Sequence, residues 1–91
     1  MRRYLLIVLF CIRAFFAMGQ LNTDRMLVIG RNALYFEDYV LSIQYFNQII
    51  KVKPYLVEPY FYRAIAKIQL EDYAGAENDC NEVIDRNPFM P

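Results

Sequence analysis

The sequence predicts an all-α fold: an α-solenoid of two helix-turn-helix repeats, with four antiparallel helices, behind an apolar N-terminal leader helix. Three observations support this prediction. The chain of 91 residues matches itself at an offset of about 34 residues, a period typical of stacked helical hairpins. Within each unit, apolar residues recur at the spacing of half-buried helices. Residues 1–19 are mostly apolar and include no acidic side chain.

The N-terminal segment has the three parts of a secretory signal peptide. An arginine pair opens it, residues 4–12 carry no charged side chain, and the small residues Ala17 and Gly19 come shortly before Gln20. A basic start, a short apolar centre and a small-residue exit are typical of a cleaved signal. We therefore expect residues 1–19 to be a signal peptide, cleaved before Gln20. The protein would then be exported to the bacterial periplasm or cell envelope.

Two other interpretations of this segment stay open. Arg13 interrupts the apolar run, which is unusual for a signal peptide and leaves room for an uncleaved N-terminal membrane anchor. The run itself is shorter than the roughly 20 residues of an ordinary transmembrane helix. The segment could also be a buried helix of the domain, because short apolar runs are ambiguous.

Two repeats follow a short linker. The linker covers residues 20–22, the first repeat residues 23–56 and the second repeat residues 57–90. Position 23 thus corresponds to position 57, and six pairs of positions related in this way are identical and spread through the unit. These pairs are Glu37/Glu71, Asp38/Asp72, Tyr39/Tyr73, Asn47/Asn81, Ile50/Ile84 and Pro54/Pro88. Matches distributed in this way indicate two copies of one helical hairpin.

Each repeat is predicted to contain two helices joined by an acidic break. In the first repeat, Thr23 or Asp24 can accept from the free amides of the first turn and start a helix. Glu37 and Asp38 break it, with Asp38 placed to cap the second helix. Pro54 ends that helix because proline lacks an N–H. The second helix is expected to bury one face, which comprises Tyr39, Ile43, Phe46, Ile49 and Ile50.

The second repeat follows the same plan, with helices over about 57–70 and 73–86. Pro59 falls in the first turn of the earlier helix, where a missing N–H costs little. Glu71 and Asp72 form the break. Tyr73 occupies the position that Tyr39 has in the first repeat, and we expect both tyrosines to belong to the repeat core.

Small residues at matching positions predict close packing of paired helices. Gly30 and Ala64 lie on the first helix of each repeat, and Ser42 and Ala76 lie on the second. Larger side chains at these positions would force the paired helices apart.

With these positions in register, residues 23–90 resemble the tetratricopeptide repeat (TPR) family. The family pattern within one repeat is W-x2-L-G-x2-Y, then A-x3-F, then P. The first repeat has Met26-x2-Ile29-Gly30-x2-Ala33, Ser42-x3-Phe46 and Pro54. The second has Tyr60-x2-Arg63-Ala64-x2-Lys67, Ala76-x3-Cys80 and Pro88. The chain departs from the pattern at Ala33, Arg63, Lys67 and Cys80, and these departures predict looser packing in the second repeat.

The resemblance implies a binding groove along the first helix of each repeat, because in the family these helices line a concave surface. In this chain the groove residues would be Asp24, Leu27, Arg31, Leu34 and Tyr35 from the first repeat, and Glu58, Phe61, Ile65, Ile68 and Gln69 from the second. We expect this mostly apolar groove to take a peptide or a partner helix. Alternatively, these residues pack against a neighbouring repeat or subunit, because two repeats leave end faces uncovered.

The composition argues against an enzyme, a metal or cofactor site and a nucleic-acid binder. The sequence has no histidine, the usual general base and the commonest metal ligand. It has no glycine-rich phosphate loop and no paired-cysteine motif. Ten basic residues balance ten acidic ones, so no basic stripe is available for nucleic acid. Cys80 is expected to be a small core residue, with an intermolecular disulfide as the alternative.

The expected function is therefore that of a non-catalytic protein–protein interaction module, a TPR scaffold exported from a bacterial cell, which binds a protein or peptide partner in its groove. The alternative is a membrane-tethered structural envelope component that self-assembles through its uncapped repeat ends. Solenoid units are stabilised by their neighbours, and at least three are normally needed. We therefore also expect further repeats or a homo-oligomer, and contact with a membrane only if the leader is uncleaved.

Overall fold

The computed structural model describes residues 2–19 and 22–87, and over these residues the chain forms helices and no strand. The helices are α1 (Arg2–Gly19), α2 (Thr23–Tyr35), α3 (Tyr39–Val52), α4 (Glu58–Gln69) and α5 (Tyr73–Arg86). The all-α prediction is confirmed, and the predicted bounds of α2 to α5 hold within two residues. Most of the predicted linker and the end of the second repeat, residues 88–90, lie outside the described residues.

Helix α1 stands apart from the other helices. Its side chains from Tyr4 to Phe10 are exposed, and within the described residues it has no contact with α2 to α5. The described part of the chain contains no helix with the length and apolarity that crossing a bilayer requires. Gln20, the residue before which cleavage is predicted, lies outside the described residues.

Helices α2 to α5 pack in chain order. α2 packs on α3, α3 on α4 and α4 on α5, while α4 also touches α2. The connections between them are short, which makes successive helices antiparallel. Consequently α4 lies against both helices of the preceding hairpin.

The two hairpin turns have the same backbone structure. Glu37 and Glu71 both adopt a left-handed conformation, with φ of 65° and 63°. The amide that follows each of them donates to a carbonyl five residues back over 2.8 Å, in the pairs Asp38 to Ala33 and Asp72 to Lys67. This is the Schellman ending of a helix, in which a left-handed residue directs the chain away. The predicted acidic breaks are confirmed.

The core is built around Phe46, which is fully buried between two helices. A Cβ atom on Gly30 of α2 would lie 2.7 Å from the Phe46 ring, so a glycine is required for this approach. The other predicted small residues are also buried, and they are Ser42, Ala64 and Ala76. The prediction of close packing through small residues is therefore confirmed.

Several local predictions are wrong. Asn22 and not Thr23 or Asp24 is the N-cap of α2, and its side chain makes no capping bond. Asp38 precedes α3 without a side-chain cap, whereas Asp72 accepts from the amide of Gly75 over 3.1 Å. Capping therefore differs between two turns that share one backbone path.

Two residues that were expected in the core lie on the surface. Cys80 is exposed, and the Tyr73 side chain is exposed while its counterpart Tyr39 is half-buried. The reason is that α3 has a helix on each side, while α5 contacts only α4 among the described residues. The same position in the repeat therefore has different surroundings in the two hairpins.

Candidate functional site

The ten predicted groove residues lie on two neighbouring helices. Five are on α2 and five on α4, and these helices touch each other. Leu27, Leu34 and Ile65 are half-buried, and the other seven are exposed. The two helices therefore expose polar side chains together with Tyr35, Phe61 and Ile68, while three aliphatic side chains are partly covered.

An aromatic cluster connects the helices at this surface. Tyr62 of α4 stacks on Phe46 of α3 with ring centroids 5.9 Å apart, and Phe61 meets Tyr62 edge to face at 5.4 Å. The guanidinium of Arg31 on α2 lies 5.2 Å from the centroid of the Tyr62 ring. Within about 6 Å such a cation is attracted by the ring. Tyr62 therefore joins three helices and orients Phe61 and Arg31.

Tyr62 was not among the predicted groove residues. The signal for it is the run of three aromatic residues at positions 60–62, since consecutive helical side chains cannot all face one core. In the structure Tyr60 is buried, Tyr62 is half-buried and Phe61 is exposed.

A depression of about 340 Å³ lies on α2 and is lined by Val28, Arg31, Asn32 and Tyr35. Arg31 and Tyr35 belong to the predicted groove, whereas Val28 and Asn32 do not. The i, i+3, i+4 and i+7 spacing of these residues places them on one face of the helix. They lie away from the buried side of α2, which contains Gly30 and Ala33. The depression is thus open on the outer side of the helix.

The charges on the predicted groove are few and separated. Asp24 and Glu58 stand in the first turns of α2 and α4, where the helix dipole favours acids. Arg31 is the one cation among the ten predicted groove residues. Such a surface can bury apolar side chains of a bound segment and pair with one or two of its charges. Within residues 2–19 and 22–87, no cluster of cysteine or acidic side chains could hold a metal ion.

A second cluster of charges lies between α4 and α5. The Asp79 carboxylate, 2% exposed, accepts from Nε and NH2 of Arg63 over 2.9 and 2.6 Å. Lys67 Nζ lies 3.1 Å from the same carboxylate, and Arg63 also donates to Asn47 Oδ1 of α3 over 2.8 Å.

This arrangement gives Arg63 and Lys67 a structural role. They are two of the positions that depart from the repeat pattern described in the sequence analysis, and they hold a buried acid on the facing helix. Asp79 was missed in the sequence. The signal available was two cations four residues apart on the inner face of α4, which favour an acid on the facing helix.

Arg86 links the last described helix, α5, to the connection between α3 and α4. Its Nε donates to the carbonyl of Pro54 over 3.0 Å, and its guanidinium lies 4.4 Å from the centroid of the Tyr60 ring. Tyr60 donates its hydroxyl to the same carbonyl over 3.0 Å. A side-chain hydrogen bond to Glu82 is the main cause that raises the pKa of Arg86, so this guanidinium stays charged.

Comparison with family models, with curated proteins and with solved structures finds no match to this chain. The assignment of the repeats therefore depends on the sequence period and on the contacts described above.

Proposed function

We propose that the chain is a non-catalytic protein–protein interaction module of two TPR-like repeats, residues 23–56 and 57–90, arranged as an α-solenoid. The repeats bind a peptide or a partner helix along the surface shared by α2 and α4. Two features support the duplication on which this proposal depends. The hairpin turns share a left-handed glutamate at equivalent positions, and helices pack in chain order.

One observation carries the binding proposal: two helices that touch each other both expose apolar side chains. Phe61 and Ile68 on α4 are each 43% exposed, and Tyr35 on α2 is 81% exposed. Side chains of this kind gain free energy when a partner covers them, about 25 cal/mol per Å² of apolar area. Aromatic residues and arginine are also the residues that most often dominate binding, and Arg31 lies within this surface.

The test uses a peptide-display library and a pair of matched double variants. Peptides selected on the full chain are titrated into two double variants. One variant carries Phe61→Ala and Ile68→Ala, and the other carries Tyr73→Ala and Ile84→Ala. Each pair removes one aromatic and one isoleucine from an exposed position, but the second pair lies on α5. Truncation in the groove should cost about 2–3 kcal/mol of binding, or about 30- to 150-fold in Kd. Equal losses in both variants, or none, would reject the groove.

We further propose export from a bacterial cell, with residues 1–19 as a signal peptide. The basic start and the short apolar centre support this proposal. N-terminal sequencing of the exported protein tests it: a mature chain that begins at Gln20 is expected, and one that begins at Met1 would contradict cleavage.

A second candidate function is that of a membrane-tethered envelope component that self-assembles through its repeat ends. The exposed apolar side chains of α1, from Tyr4 to Phe10, favour it, because they would be covered by lipid if the leader were retained. Membrane fractionation distinguishes the two functions. Release of the protein without detergent would argue against a tether.

A further inference from the structure

The outer surface of α2 corresponds to a surface of α4 that is buried. One repeat earlier in the sequence, the counterparts of Pro59, Tyr62 and Ala66 of α4 are Arg25, Val28 and Asn32 of α2. Pro59 and Ala66 are buried, and Tyr62 stacks on α3. We call Arg25, Val28 and Asn32 the α2 end face.

No helix covers the α2 end face within the described residues. Val28 is 52% exposed, Arg25 and Asn32 are exposed as well, and the depression described above lies on this face. The helix that occupies the corresponding place on α4 is α3. The α2 end face therefore corresponds to the face of α4 that packs on the second helix of a hairpin.

The outer surface of α5 corresponds to the surface of α3 that packs on other helices. Four positions of α3 that are buried or half-buried, Tyr39, Ile43, Phe46 and Ile50, have exposed counterparts on α5. These counterparts are Tyr73, Glu77, Cys80 and Ile84, which we call the α5 end face. Within the described residues α5 packs on α4 alone, so no described helix covers this face.

The known contact between α3 and α4 gives the register. Phe46 meets Tyr62. The counterpart of Phe46 in the second repeat is Cys80, and the counterpart of Tyr62 in the first repeat is Val28. A small thiol would then face a small aliphatic side chain instead of two stacked rings.

One pair of opposite charges favours a particular orientation of the two end faces, with Arg25 on the α2 end face and Asp85 next in sequence to Ile84 of the α5 end face. Because α3 and α4 are antiparallel, the start of α2 would meet the end of α5. Arg25 would then lie near Asp85, and Asn32 would lie near Glu77. All four side chains are exposed in the single chain. Opposite charges favour this orientation over the reverse one.

We propose that α5 of a second copy of this chain docks on the α2 end face, in the register that α3 takes on α4. Each copy then offers one face to the next, which is a heterologous contact that produces open chains of copies. This inference rests on the second candidate function, self-assembly through the repeat ends, and names the two faces in contact. It does not depend on binding of a peptide in the groove, and the membrane fractionation described above tests the tether separately.

The test is disulfide trapping in the full chain with Cys11→Ser, which leaves Cys80 as the only thiol. Val28→Cys is added, and the protein is oxidised by dissolved oxygen with a copper(II) catalyst, in a nonionic detergent that keeps α1 helices apart. Each disulfide passes two electrons and two protons to the oxidant. Because a disulfide needs Cα atoms within about 7 Å, Val28→Cys should form a ladder of dimers, trimers and larger species on a non-reducing gel.

Val40→Cys on α3 is the matched control, because Val40 is also exposed, at 58%, and lies on neither end face. We expect about fivefold less cross-linking in this variant, given the short reach of a disulfide. Equal ladders in the two variants, or dimers without larger species in Val28→Cys, would overturn the proposal. Circular dichroism of the reduced proteins shows whether both variants keep the wild-type helix content, and Val28→Ser should abolish the ladder.

A charge exchange tests the register. In the Val28→Cys protein, Arg25→Glu should lower cross-linking about threefold, because a like charge then faces Asp85. Adding Asp85→Arg should restore it. Failure of the second change to restore cross-linking would overturn the proposed register.

Discussion

The loss in the free energy of unfolding should depend on which member of the charge cluster around the buried Asp79 carboxylate is removed. Arg63 supplies two of the three contacts to this carboxylate, and Lys67 supplies the third. Arg63→Met would therefore leave a buried charge with one cation. Removal of one partner from a buried ion pair costs about 3–5 kcal/mol. We expect a loss near the lower end, about 3 kcal/mol, because Lys67 remains.

Removal of the acid should cost less than removal of Arg63. Asp79→Asn keeps the volume and one acceptor oxygen but removes the charge. The side chains of Arg63 and Lys67 are 17% and 19% exposed, so both can turn their charged ends to water. The expected loss is about 1–2 kcal/mol, typical of one weakened charged hydrogen bond. Lys67→Met, which leaves both bonds from Arg63 intact, should cost about 1 kcal/mol.

Urea unfolding of the full chain, followed by circular dichroism in the far ultraviolet, measures these differences from the transition midpoints. A helical domain of this size has a total stability of about 3–10 kcal/mol, so the Arg63 variant should retain about 0–7 kcal/mol and unfold at a clearly lower urea concentration. If Arg63→Met were no more destabilising than Lys67→Met, the claim that Arg63 is the main partner of the buried acid would be wrong.

Two further changes test the backbone path and the packing. Glu37→Gly should stabilise the chain by about 0.5–1 kcal/mol, because glycine adopts the left-handed conformation of this turn without strain; Glu37→Ala, which keeps a Cβ atom, should not stabilise it in the same urea titration. Gly30→Ala should destabilise the chain by about 1 kcal/mol, because crowding against the buried Phe46 ring costs more than the roughly 1 kcal/mol that alanine gains as a helix former. The same substitution in a Phe46→Leu protein should be neutral or stabilising, and an unchanged cost there would show that the ring is not the obstacle.

The sequence period was sufficient to predict where helices begin and end, but not how each turn is built. The breaks at Glu37 and Asp38 and at Glu71 and Asp72 follow from the repeat, and the structure confirms them. The left-handed glutamates could not be predicted, because glycine and asparagine are the usual residues in that conformation. Likewise, the acidic residues suggested side-chain caps at both turns, and only Asp72 makes one.

The candidate groove was predicted in part. The period and the family resemblance placed the predicted residues on α2 and α4, which the structure shows to be neighbours. The depression lined in part by Val28 and Asn32 was not predicted, because the family pattern draws attention to other positions of α2. Tyr62 was missed because its role depends on two partners, Phe46 and Arg31, that are distant in the sequence.

The environment of Cys80 shows why a repeat pattern predicts secondary structure better than burial. Phe46 and Cys80 occupy the same position in their repeats, yet Phe46 is fully buried and Cys80 is exposed. The difference is external to the hairpin, since α4 supplies Tyr62 to cover Phe46, and no described helix does this for Cys80. Burial at such a position is therefore a property of the pair of neighbouring units. For the same reason, docking of a second copy on α5 should protect Cys80: its modification rate by a maleimide should fall as protein concentration rises, whereas a rate that is independent of concentration would mean that the end face stays open.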